Sequence, residues 1–297
     1  MLRLLWICCS RLLPAMILLA AALPAQSGRL NLADPDDAVR AMRKLQSWLE
    51  DGKPAIYWFQ GSVYSRIPGE RDRLLFTYQA MNIRASATTA GPETGYGYKH
   101  VSREILLYMD PATRRILRTW KNPWTGKEVE VVHVANDPVN SQVSARGPRG
   151  NFRFEPTFKD GMGFYSLEVP LLYTNPLGGD YQEYVGGAYH AMEMFNFFFD
   201  EEELLGPTTG VEHARVSWAR VSSWLPWMEM GDRPGILIYN GIGRRISGWD
   251  LLPQELRAEI EARYPEYRNP PPLDDNRPNE TSWTYFKRWI DAKRKKP

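Results

Sequence analysis

Residues 102–140, SREILLYMDPATRRILRTWKNPWTGKEVEVVHVANDPVN, decide the fold. Three apolar runs rich in β-branched and aromatic residues, 104–109, 115–120 and 127–135, are separated by the turn formers Asp110-Pro111 and Asn122-Pro123-Trp124-Thr125-Gly126. Neither connection can hold a crossover helix, so neighbouring strands must run antiparallel. The spacing predicts a three-stranded meander of the kind that continues into a sandwich or barrel. In the third run Glu128 and Glu130 alternate with Val129, Val131 and His133. Ionised carboxylates do not sit unpaired in an apolar interior, so the second set is expected to face inward, His133 with it. The plainer reading of His133 is a core or rim histidine bonded to a neighbouring strand.

Upstream, Asp34-Pro35 opens an amphipathic pattern over 34–49, with Val39, Met42, Leu45 and Leu49 at helical spacing. Residues 56–67, with a bulge expected at Gly61, and 74–85 form a first hairpin. The Thr/Gly-rich stretch 86–100 reads as a loop and a candidate flap. Downstream, 151–158 and 164–173 pair around Lys159-Asp160-Gly161, and the aromatic run 189–199 is a buried strand followed by a helical turn at 201–205. Two more strands, 212–222 and 235–246, flank the bend Trp224-Leu225-Pro226-Trp227. About ten strands result, without any 20–50-residue repeat. A helix over 253–263, the stiff strap NPPPLDDNRP and a capped helix carrying Trp283, Phe286, Trp289 and Ile290 complete the chain. The expectation is one mainly-β domain over 30–297, an antiparallel meander closing into a calycin- or lipocalin-like barrel, with N- and C-terminal helices packed outside and strap and closing helix in 265–297.

Residues 1–25 hold Arg3, Arg11, no acid, an apolar run from Leu12 to Leu23, and small residues at Ala22 and Ala25, the pattern of a secretory signal peptide. Export to the periplasm or exterior follows as an expectation, with no stable membrane span once the leader is cleaved; a retained leader acting as an anchor is the alternative. Both cysteines, Cys8 and Cys9, lie in it, which leaves the mature chain without disulfides or thiolate chemistry. Removing Arg3 and Arg11 takes the 37 bases to 35, equal to the 35 acids. A neutral chain whose only basic cluster is the tail Lys293-Arg294-Lys295-Lys296 argues against a nucleic-acid partner. The sequence sets no oligomeric state.

The strings YWFQGSVYSRIPGE, FTYQAMNIR, VSREILLYMDP, LRTWKNPWTGKEVEVVHVANDPVN, WLPWM and RPNETSWTYFKRW run through nearly all of the mature chain. On them the chain resembles the bacterial and fungal family catalogued as domain of unknown function 1838. The resemblance implies a calycin-like barrel and carries no catalytic residues or reaction with it.

Of the four histidines, His100, His133, His190 and His213, none forms an HxH or HExxH pair, and no GxSxG, P-loop or dinucleotide fingerprint occurs. No metal or cofactor is expected. With 11 Trp, 15 Tyr and 11 Phe the chain can line a cavity as well as fill a core. The candidate catalytic set is His133, Asp137 and Arg118: an acid or base, a carboxylate to orient it and a cation for developing negative charge. Arg84, Tyr78, Trp120, Asn136 and His190 are the candidate ligand-binding residues. The function expected is binding of a small apolar or aromatic molecule, with action on it as a cofactor-independent lyase, isomerase or hydrolase. A lipocalin-like carrier would share the cavity without convergent titratable groups; a surface-interaction protein would instead show an exposed aromatic patch.

Overall fold

The structure, a computed structural model, describes residues 28–173, 177 and 188–295. The leader predicted over 1–25 and Gly186-Gly187 lie outside those residues. Among the described residues no helix is long and apolar enough to cross a membrane.

Helix α1 (Pro35–Gln46) begins where its signals place it: the Asp34 side chain accepts from the Asp36 and Asp37 N–H groups, and proline follows at the first turn. Strands β1 (Ala55–Arg66), β2 (Arg73–Gly91) and β3 (Gly95–Met109) form a long antiparallel meander. The bulge expected at Gly61 is absent, since Gly61 stays in register with Tyr78; the irregularity lies opposite Val63 and Tyr64, where Leu75 of β2 is the extra residue. The 86–100 stretch is not a loop. It is the far end of the β2–β3 hairpin, paired through Thr88↔Tyr98 to Gly91↔Gly95. Its threonines and tyrosines suit a strand, and Gly95 takes the positive φ its tight turn requires.

The predicted central meander forms only in part. β4 (Thr119–Lys121) and β5 (Glu128–Glu130) pair with each other as a separate two-stranded sheet, and only the Met109↔Ile116 bridge joins β3 to that arm. The chain then returns to β3 as β6 (Val134–Asn136) and β7 (Ser141–Ser144). Asn122, buried at the β4–β5 turn, accepts from the Trp124 and Thr125 N–H groups and donates to the Met228 carbonyl at 2.8 Å. The arm is thereby anchored to the tryptophan-rich bend.

A small ribbon, β8 (Arg146–Gly147) with β9 (Gly150–Asn151), precedes β10 (Thr157–Lys159), β11 (Met162–Tyr173) and β12 (Tyr189–Asp200). The aromatic run is thus a strand, as read. Asp160 and Gly161, both at positive φ, make the β10–β11 turn. Helix α2 (Glu201–Leu205), β13 (Arg215–Ser222) and β14 (Ile236–Ile246) follow, then α3 (Gln254–Arg263), the proline-rich strap and α4 (Ser282–Arg294), capped by Thr281.

Among the described residues, ten strands share one antiparallel sheet in the order β10-β11-β12-β13-β14-β1-β2-β3-β6, with β7 also on β3. The sheet does not close into the expected barrel. Its edges are short strands, β10 on one side and β6 and β7 on the other, too short to zip together, and the 115–120 run meets the sheet only at the Met109↔Ile116 bridge. Other elements cover its concave face. At one end Trp224, Leu225, Trp227 and Met228 of the bend and Trp283, Phe286 and Ile290 of α4 pack on Val63, Phe76, Tyr108 and Tyr239. At the other, α1 and α2 pack on Tyr57, Phe197, Phe199 and Val216. Leu256 and Ile260 of α3 cover Ile56, Met81, Ile83 and Ile105 on the convex face.

Candidate functional site

Between the two concave-face cores lies a cavity of about 290 Å³. This is at the small end of ligand pockets, which run from about 300 to 1,000 Å³. Strand phase dictates its walls. Alternation puts Ala80, Asn82 and Arg84 of β2 on the same face as Glu104, Leu106 and Tyr108 of β3, and the register sets Asn82 opposite Glu104 and Glu104 opposite Asn136 of β6. From the other half of the sheet, Glu193 of β12 stands opposite Arg220 of β13, which stands opposite Tyr239 of β14. Phe59, Phe195, Trp218 and Leu171 supply apolar wall, and Asn279 to Ser282 at the start of α4 form the rim.

Glu104 sits at the centre of the first row. Asn82 Nδ2 donates to its carboxylate at 3.1 Å, and Asn136 also hydrogen-bonds it. Burial, and then the Glu193 carboxylate, raise its pKa above the usual carboxylate range; Arg84, Asn136 and Arg220 oppose this. Arg84 donates from Nε to Asn82 Oδ1 and lies 4.9 Å over the Tyr57 ring. Burial lowers its pKa. The second row is closed on itself: Arg220 pairs with Glu193 and donates to the Tyr189 hydroxyl, while the Tyr108 and Tyr239 hydroxyls are 3.0 Å apart. Burial opposes the Arg220 charge, but Glu193 and the surrounding phenols hold its pKa above the usual range, and burial pushes Tyr239 up to about 12. At the rim Glu280 pairs with Arg288 at 3.1 Å.

Of the sequence candidates, Arg84 and Asn136 line this cavity. The catalytic trio does not converge on it. Val131 and Val132 are successive residues in the same concave-face core, so alternation breaks there, and from Val134 and Ala135 onward the phase is reversed. His133 is buried as expected, but its charged neighbours are Arg118 and the α3-side groups Glu259 and Arg263. Its Nδ1 accepts the Tyr108 N–H at 3.1 Å, replacing the ladder partner lost where β6 leaves β3. Burial, then Arg118, push its pKa down to about 4. Asp137 points opposite to Asn136 and pairs with Arg103 at 3.0 Å and Arg277 at 2.8 Å, tying the strap to β3. Arg118 pairs with Glu259. Trp120 packs among Phe76, Trp124 and Trp227, and His190 is exposed at the start of β12. Tyr78 is buried over the β1–β14 glycines: a Cβ on Gly241 would meet its hydroxyl at 1.8 Å.

Glu104, Glu193, Arg220 and Asn82 were missed by sequence reasoning, although a signal existed. Glu193 is the one acid in phase with Tyr189, Ala191, Phe195 and Phe197, and Glu104 opens the otherwise apolar run EILLYM. Among the described residues no three His, Cys, Asp or Glu side chains gather into a metal-holding group.

No curated protein matches the sequence. The structure of DynF from the dynemicin biosynthesis pathway of Micromonospora chersina is similar at 9% identity and a TM-score of 0.31, over 67% of this chain and 82% of that one. A sequence family does match, over residues 52–290, and the chain therefore belongs to it: the family is described as Protein of unknown function (DUF1838).

Proposed function

We propose that the protein binds a small, largely apolar or aromatic molecule in the concave cavity and relocates a proton on it, as an isomerase or lyase, with Glu104 as the proton-transfer group. One observation carries this reading. Glu104 is a carboxyl in an aromatic-walled cavity, oriented by Asn82 and Asn136, with its pKa raised by burial and by the Glu193 carboxylate, as suits a proton-transfer group. The other cavity carboxyls, Glu193 and Glu280, are each paired with an arginine. A proton taken by Glu104 from one atom of the ligand and returned to another leaves no net charge, so the step needs no further reactant. The leader pattern of residues 1–25 supports export, so the proposed setting is the periplasm or exterior.

The test uses the molecule that co-purifies with the protein, identified by mass spectrometry and returned to wild type and Glu104→Gln in deuterated water. Wild type should place deuterium in the ligand or product, and the variant should lose this by at least a hundredfold while still binding. Equal exchange in both proteins removes Glu104 from the role. A ligand that wild type leaves unchanged makes the protein a carrier.

A further inference from the structure

The cavity walls hold two arginines in unlike states. Arg220 is neutralised by Glu193 and bonded to the Tyr189 hydroxyl. Arg84 uses only Nε, toward the neutral amide of Asn82, and rests one face on Tyr57. Among the described residues its two terminal nitrogens make no hydrogen bond and the guanidinium forms no ion pair. Arg84 is half-buried, and a cation lining a cavity with unbonded N–H groups is favourable only where an anion meets it. Two parallel N–H groups are the fork that a carboxylate fits.

We propose that the ligand carries a carboxylate, which docks bidentately on the Arg84 guanidinium while its apolar or aromatic body lies against Phe59, Phe195 and Trp218. This rests on the reading that the cavity takes a small molecule, and it names the class. It also gives Glu104 a direction. Arg84 lowers the Glu104 pKa; a carboxylate that neutralises Arg84 removes that influence and adds a negative neighbour. Both changes push the Glu104 equilibrium further toward its protonated form.

The experiment compares acids with their uncharged isosteres: benzoate, phenylacetate, cinnamate and indole-3-acetate against the four primary amides, titrated calorimetrically into the full chain. At least one acid should bind roughly ten- to a hundredfold tighter than its amide, the difference carried by a charge-assisted pair. Arg84→Met should erase that preference, and Arg84→Lys should restore it in part; Phe195→Ala should weaken acid and amide alike. The wild-type comparison stands even if an Arg84 variant does not fold. Amides that bind as well as acids, an unchanged preference in Arg84→Met, or binding by neither set overturns the carboxylate assignment. None of these results bears on proton relocation by Glu104, which the deuterium experiment decides separately on the co-purified molecule.

Discussion

Replacing Gly241 with alanine should destabilise the protein chiefly through its clash with the Tyr78 hydroxyl. The new Cβ would stand 1.8 Å from the Tyr78 hydroxyl and 3.0 Å from Cζ, and also 2.9 Å from the Gln60 carbonyl. The phenol has nowhere to retreat, being fully buried with its ring centroid 5.8 Å from Trp218 and 6.3 Å from Tyr239. Overpacking of this kind costs about 1–3 kcal/mol. The narrower backbone freedom of alanine in the unfolded chain returns about 0.4–1 kcal/mol. A net loss of about 1–2 kcal/mol lowers Tm by roughly 2–8 °C in a chain of this size. The hydroxyl itself has no partner among the described residues. Tyr78→Phe alone should therefore be neutral or slightly stabilising, and in that background Gly241→Ala should lose at least half of its penalty. Circular-dichroism melts of wild type, both single variants and the double variant close the cycle. An unchanged Tm for Gly241→Ala, or the same penalty with and without the Tyr78 hydroxyl, refutes the reasoning.

Trp283→Ala should destabilise by about 3–5 kcal/mol, since the indole is 1% exposed and its ring centroid lies 4.6 Å from that of Tyr189; a chemical denaturation midpoint equal to wild type would show α4 to be loosely attached. His133 and His100 are held neutral, with pKa values pushed down to about 4 and about 3, mainly by burial. Below pH ~6.5 the unfolded chain takes up protons there while the folded chain does not, so stability should fall as pH drops from ~6.5 toward 4 and 3. In the NMR spectrum their ring protons should not titrate above pH 5, whereas His213, raised by its hydrogen bond to Glu203, should titrate above the ordinary histidine value. A His133 signal moving near pH 6.5 would contradict its burial.

Local patterns carried most of the strands. The β1–β2 hairpin, the aromatic strand β12 and the capped helix α4 lie where periodicity and turn residues put them. Two features escaped because they are not local. The break at Val131–Val132 depends on β5 pairing with β4 while β6 returns to β3, and nothing in the alternation of EVEVVHVAN announces the change of partner. Barrel closure is decided by whether the two edge strands are long enough to meet, which is a property of the whole sheet. The site was half legible for the same reason. Arg84 was recoverable from phase, whereas Asn136 reaches the cavity only because the phase reverses, and Asp137 and His133 inherited the wrong face from the unbroken third strand. Glu193 and Arg220 come from strands that only the tertiary register sets facing Glu104.

The position of the β1–β14 pair in mid-sheet has a kinetic consequence. Pairs from Ile56↔Ile246 to Arg66↔Ile236 join segments separated by most of the described chain. On either side, β1-β2-β3 and β10 to β14 are sequential meanders whose contacts can form early. The seam between them is the slow, late event, unattainable until β14 has been synthesised. Asn82, Arg84, Glu104 and Asn136 belong to one meander, and Glu193, Arg220 and Tyr239 to the other. Neither half holds a cavity alone, so a molecule that fits both walls binds only the zipped chain and draws the folding equilibrium toward it.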